Sequence, residues 1–187
     1  MLLALLWLIL LSTPVLFGSS STKCPPDINK ITMYHVGIAK NKNVKRDNTA
    51  VGNSTILRAA ENTLGDSSRD IAGCGHGKLA CAAMVSLVLR RAGVATIHSD
   101  CTDDMYHQLS ESDQFERVPV SSAKPGDIII SPSAEHHFGH VGIVGLHDAV
   151  YSNNSYSAKF DHNLTLSIWK QYFGTRLNLG VYIYRKV

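Results

Sequence analysis

Gly73-Cys-Gly-His-Gly-Lys-Leu-Ala-Cys-Ala-Ala-Met-Val-Ser-Leu-Val-Leu-Arg-Arg-Ala-Gly93 decides how this chain is read. A glycine-rich turn runs into a helix expected from about Leu79 to Ala92, which Gly93 ends. Ala80, Ala82, Ala83, Met84, Val85, Leu87, Val88 and Leu89 make that helix apolar nearly all round, so it belongs in the core. Arg90 and Arg91 face water at the end where cations suit the macrodipole. Cys81 falls in the first turn or two. Free backbone N–H groups and the positive end of the dipole favour a thiolate there, so the position suits a nucleophile. The competing reading is a buried structural cysteine, since cysteine is among the most buried residue types.

The chain has 187 residues. Leu2 to Leu11 is an unbroken apolar run, and small residues follow to Ser20. This reads as a signal peptide over residues 1–20, although its start lacks Lys or Arg; it is too short to span a bilayer. The remainder, 21–187, suits one domain with one core. Net charge is +3, and the basic residues are scattered apart from the solvated-loop tract Lys40–Arg46. No nucleic-acid motif, cofactor motif or membrane partner is implied, and a monomer is expected. A secreted chain with Cys24, Cys74, Cys81 and Cys101 is expected to carry disulfides. If Cys81 is a free nucleophile, one bridge and one odd thiol remain. Cys74 with Cys101 is the first choice, because both flank the central helix, and Cys24 could replace either.

A first helix is expected from Asn53 or Ser54 to about Thr63, and a third from near Thr102. After residue 114 the pattern changes to short β-type runs at Phe115–Val120, Asp127–Ile130, His140–Gly145, Ala149–Asn153 and Gly180–Val187. Leu146-His-Asp148 is a tight link that makes a hairpin of the third and fourth runs. One amphipathic helix is expected over about Thr165–Phe173. Helices first and an antiparallel sheet after them give an α+β fold, with N-terminal helices packed on a C-terminal sheet.

A thiol nucleophile needs a base, and histidine is the usual one. Among nine histidines, His140 has the context. Lys124-Pro-Gly-Asp127 opens a strand, and Phe138-Gly-His-Val-Gly-Ile-Val144 then begins another with His140 at its head. Cys81 in Leu79-Ala-Cys-Ala-Ala-Met-Val-Ser86, then Pro-Gly-Asp, then Gly-His-Val-Gly-Ile-Val, then Gly180-Val-Tyr-Ile-Tyr-Arg185 resembles the NlpC/P60 and CHAP cysteine peptidases. These are papain-like cell-wall amidases. The order and spacing match over about residues 55–187. The Cys-Ala-Ala-Met-Val-Ser helix behind a leader is most similar to domesticated amidase effectors, the eukaryotic relatives of type VI secretion amidase effectors. The Asp-Cys-Ser-Gly-Phe signature of the wider family is absent.

The resemblance implies a secreted antibacterial hydrolase acting on stem peptides of bacterial peptidoglycan, at the D-alanyl–meso-diaminopimelate cross-link. It implies a thiolate–imidazolium pair of Cys81 and His140, and a third polar residue on the following strand that holds the imidazole. Ser152, Asn153 and Asn154 are the candidates, and Asn154 is preferred. Ser152 and Asn154 share one face, and Asn153 heads a glycosylation sequon, as do Asn53 and Asn163. His136 and His137 sit in a polar loop from which they could touch substrate carboxylates. Asp127 is expected to cap a turn rather than catalyse.

Other readings stand beside this one. Tyr34-His-Val-Gly-Ile38 nearly repeats the His140 motif, and a histidine ahead of the cysteine is the order of permuted lipid acyltransferases and thioesterases. A catalytically silent wall-binding module is a further alternative. Cys74-Gly-His76 and Glu135-His-His137 offer metal ligands, but neither His-Glu-x-x-His nor paired Cys-x-x-Cys is present, so no metal is assigned.

Overall fold

The computed structural model describes residues 54–134 and 136–187. The expected leader, Cys24, His35, the sequon at Asn53 and Glu135 lie outside the described residues. Three helices come first: α1 (Ser54–Thr63), α2 (Cys81–Arg91) and α3 (Thr102–Glu111). Six strands follow: β1 (Phe115–Val118), β2 (Ile128–Ser131), β3 (His140–Val144), β4 (Ala149–Asn154), β5 (Lys159–Thr165) and β6 (Tyr182–Lys186). Between β5 and β6 a short α4 (Leu166–Trp169) continues as a π-helical stretch, Lys170–Arg176. The strands form one sheet in the order β1-β6-β2-β3-β4-β5, and every pair is antiparallel. The α+β class, helices before an antiparallel sheet, is therefore as the sequence suggests. Among the described residues, no helix is long and apolar enough to cross a membrane.

The sheet is covered on both faces, which explains why β2 reads Ile128-Ile-Ile130 rather than alternating. Ile128 and Ile130 join Val141, Ile143 and Phe160 against α1–α3. Ile129 joins Val144, Val150 and Ile183 against Trp169 and Phe173. On α2, Met84, Val85, Val88 and Leu89 are all fully buried, each contributing on the order of 2 kcal/mol by removal from water.

Two turns fix the strands that carry the site. Lys124-Pro-Gly-Asp127 closes with the Asp127 amide donating to the Lys124 carbonyl at 3.0 Å, and Gly126 takes φ +90°, which glycine adopts without steric cost. Asp127 is fully buried. Its Oδ2 accepts from the Lys124 amide at 2.7 Å, and Arg185 on β6 donates to both carboxylate oxygens at 3.0 and 2.7 Å. Asp127 is thus the turn cap it was expected to be, and also a clamp between β2 and β6. Between β3 and β4, His147 and Asp148 both have positive φ, the geometry of a hairpin turn that follows strand twist.

Candidate active site

The sulfur half of the site is local. The loop into α2 takes positive φ at Gly73, Gly75, His76 and Gly77, and three glycines in four residues make that run accessible. Gly77 is also sterically obligatory, because a Cβ there would lie 2.6 Å from Ala158 Cβ and 2.7 Å from Ser68 Oγ. Asn153 Nδ2 donates to the Gly77 carbonyl at 2.6 Å, and Ser68 Oγ donates to Asn153 Oδ1 at 2.6 Å. Asn153 is fully buried and fastens the loop to β4.

α2 then begins without a side-chain cap, since Ala80 stands at that position. The backbone of Cys81 and Ala82 at its start favours the thiolate of Cys81. The backbone of Val141, one residue past His140, also favours the thiolate at that sulfur. The first residue of α3, Thr102, places Oγ1 3.8 Å from Sγ, a pair in which either the hydroxyl or the thiol can donate. Two helix N-termini thus converge on one thiol. Burial raises the thiol pKa, and these neighbours pull it back only in part.

The imidazole half is non-local. His140 opens β3, opposite Ser131 on β2. Alternation from Val141 sends its side chain to the Trp169 side of the sheet. The ring lies nearly parallel to Trp169 (centroids 5.2 Å, 25°) and Phe173 (5.5 Å, 18°). Those two rings are themselves 4.7 Å apart, so they wall one side of His140 rather than sandwich it. Trp169 is held by its Nε1–H donating to Ser131 Oγ at 3.0 Å. His140 is 4% exposed, and burial lowers its pKa from 6.5 to about 4. Nε2 meets Ser152 Oγ at 3.1 Å, and Ser152 Oγ donates to Asn163 Oδ1 at 2.7 Å.

Two expectations need correction. The side chain that meets the His140 ring is Ser152 and not Asn154. Ser152 pairs with Gly142, which makes it the diagonal neighbour of His140 on the same face. Gly142 keeps the lane open, since a Cβ there would lie 3.1 Å from Ser152 Cβ. Asn154 instead accepts from the amides of Tyr156 and Ser157 in the β4–β5 turn. Secondly, Cys74, Cys81 and Cys101 are all free and buried, so no Cys74–Cys101 bridge is formed. The loop is fastened by Asn153 and Ser68 instead. Burial, then Asp100 and then Cys81 raise the pKa of Cys74. Burial raises the Cys81 thiol pKa and lowers that of His140 to about 4, so the surroundings of each side chain favour its neutral form.

His136 and His137 are exposed on the turn that Ala134 and His137 close with reciprocal backbone bonds of 3.0 Å. They make none of the hydrogen bonds of the site. That loop is tied to α3 by the Ser133 amide donating to Asp103 Oδ1 at 2.6 Å. Among the described residues, no three His, Cys, Asp or Glu side chains gather as metal ligands. Thr102, Asn163, Trp169 and Phe173 were not singled out from sequence as members of the site. The aromatic pair had a signal in its i, i+4 spacing on one helical stretch, whereas Asn163 appeared only as a sequon. No protein-family model matches the chain, and no curated protein matches it.

Proposed function

We propose that the protein is a secreted cysteine amidase of the papain-like NlpC/P60 kind, an antibacterial enzyme that hydrolyses stem-peptide amide bonds of bacterial peptidoglycan. The D-alanyl–meso-diaminopimelate cross-link is its target. The observation that carries this reading is the Cys81 sulfur at the uncapped start of α2, 3.8 Å from Thr102 Oγ1 at the start of α3. The family and substrate come from the four motifs in order, and secretion from the apolar leader.

In this mechanism the thiol turns from Thr102 and gives its proton to His140 as the sulfur attacks the amide carbonyl. Nδ1 takes that proton, because Nε2 is engaged with Ser152. The oxyanion is met by the first amides of α2. The imidazolium then protonates the leaving amine, and the C–N bond breaks to leave a thioester on Cys81. Water gives a proton to Nδ1 and attacks the thioester carbonyl, which releases the carboxylic acid and restores the thiol. Ser152 holds the ring, and the Trp169–Phe173 wall keeps water from its other face.

Digestion of purified sacculi, followed by mass spectrometry of the products, tests the substrate. Cross-linked dimers should fall to monomers with a free D-alanyl carboxylate and a free diaminopimelate amine. Intact dimers, with hydrolysis of lipid esters or thioesters instead, would favour the acyltransferase reading that uses His35. Binding to sacculi without any cleavage would favour the silent wall-binding module.

A further inference from the structure

We propose that Asn163 is a positioning residue that sets the protonation pattern of His140 through Ser152. This rests on the reading of His140 as the base for Cys81.

The β4–β5 pairing shifts register at one point: Val150 pairs with Leu164, whereas Tyr151 pairs with His162. Asn163 is therefore the extra residue of a β-bulge. The bulge reconciles two demands on β5. Phe160 belongs to the core under α1–α3, and Leu164 to the core under Trp169, although the two are four residues apart and would share a face in a regular strand. The extra residue takes up that change of face, and its side chain ends 2.7 Å from Ser152 Oγ. Bulges re-aim single side chains in this way beside active sites.

The hydroxyl of Ser152 has one proton. Given to Asn163 Oδ1, it leaves Ser152 only lone pairs for His140. Nε2 must then carry the hydrogen, and Nδ1 the lone pair that accepts the thiol proton. Without an acceptor at 163, the Ser152 proton can turn to Nε2. The imidazole hydrogen then moves to Nδ1, and the nitrogen that the proposed mechanism uses as a base becomes a donor. An amide oxygen at 163 selects the productive tautomer from two bonds away, as the third member of a triad does by direct contact.

The test uses Asn163→Leu, which keeps size and removes the acceptor, and Asn163→Asp, which keeps the acceptor. Imidazole 15N NMR reads the tautomer of His140 whether or not the protein cleaves peptidoglycan, so it stands apart from the proposed activity. Wild type and Asn163→Asp should show His140 as the Nε2–H form. Asn163→Leu should shift it toward Nδ1–H, lower kcat about tenfold or more, and leave KM in place. In a Ser152→Ala background, Asn163→Leu should cause no further loss. An Asn163→Leu protein with the wild-type tautomer and kcat overturns the proposal. So does an Asn163→Asp protein with the Nδ1–H tautomer and a kcat about tenfold or more below wild type, a result that decides the matter even should the leucine variant not fold. If the tautomer shifts as stated but His140→Ala stays fully active, the base assignment fails and the positioning of the ring by Asn163 stands.

Discussion

The sulfur and the imidazole are held in contrasting ways. Cys81 is positioned mainly by short-range structure, a glycine turn and an uncapped helix start, with Thr102 of α3 beside it and Asn153 of β4 fastening the turn. Everything that positions His140 comes from distant strands: Ser152 on β4, Asn163 on β5, Ser131 on β2 and the Trp169–Phe173 wall. The first half should survive loosening of the sheet, and the second should not. The helices cover one face of the sheet and the aromatic wall the other.

The strongest way to break that contrast is at Asp127. Asp127→Ala removes the partner of Arg185 from a fully buried site and uncaps the turn that starts β2. Truncating one member of such a pair costs about 3–5 kcal/mol. Urea denaturation should show that loss, and at intermediate urea His140 NMR signals should broaden before those of α2. A loss under about 1 kcal/mol would show that the sheet half does not depend on the clamp.

A smaller effect follows from burial of the imidazole. The unfolded chain takes up a proton on His140 below its ordinary 6.5, and the folded chain does so only near 4. Stability is therefore full above pH 6.5 and falls as the pH drops toward 4, by about 3 kcal/mol in all. His162, whose pKa burial also lowers, adds a slope of the same sign. The readout is accordingly the difference between wild type and His140→Gln in denaturation midpoints across pH 4–7. Equal slopes would show that His140 is not held neutral by its surroundings.

The smallest effect separates Ser152 from its neighbour. Asn154→Ala removes only the side-chain acceptor of two turn amides, so stability should fall by about 1 kcal/mol or less, with kcat unchanged. A large loss of kcat would return Asn154 to the imidazole.

This difference between the halves also explains what could be read from sequence. The helix at Cys81 is legible because turn glycines, apolar periodicity and a stop glycine are all local signals. The β3–β4 hairpin is legible for the same reason, through Leu146-His-Asp148. β5 was not anticipated at all. Its run Lys159-Phe-Asp-His-Asn-Leu-Thr165 is mostly polar, and the bulge at Asn163 that sends Phe160 and Leu164 to opposite faces leaves no mark in the local pattern. The choice of Ser152 over Asn154 depends on β3–β4 register and on open space at Gly142, neither of which local pattern encodes. Pairing of Pro-Gly-Asp127 with Arg185 likewise joins residues that only the sheet brings together. The amphipathic helix after Thr165 was expected, but its turn to π geometry at Lys170 was not.

The most direct test of the account is the rate at which Cys81→Ala and His140→Ala release muropeptides from purified sacculi. Both should fall by about a thousandfold or more against wild type, with far-UV circular dichroism unchanged. Release at the wild-type rate by a folded Cys81→Ala protein would contradict it.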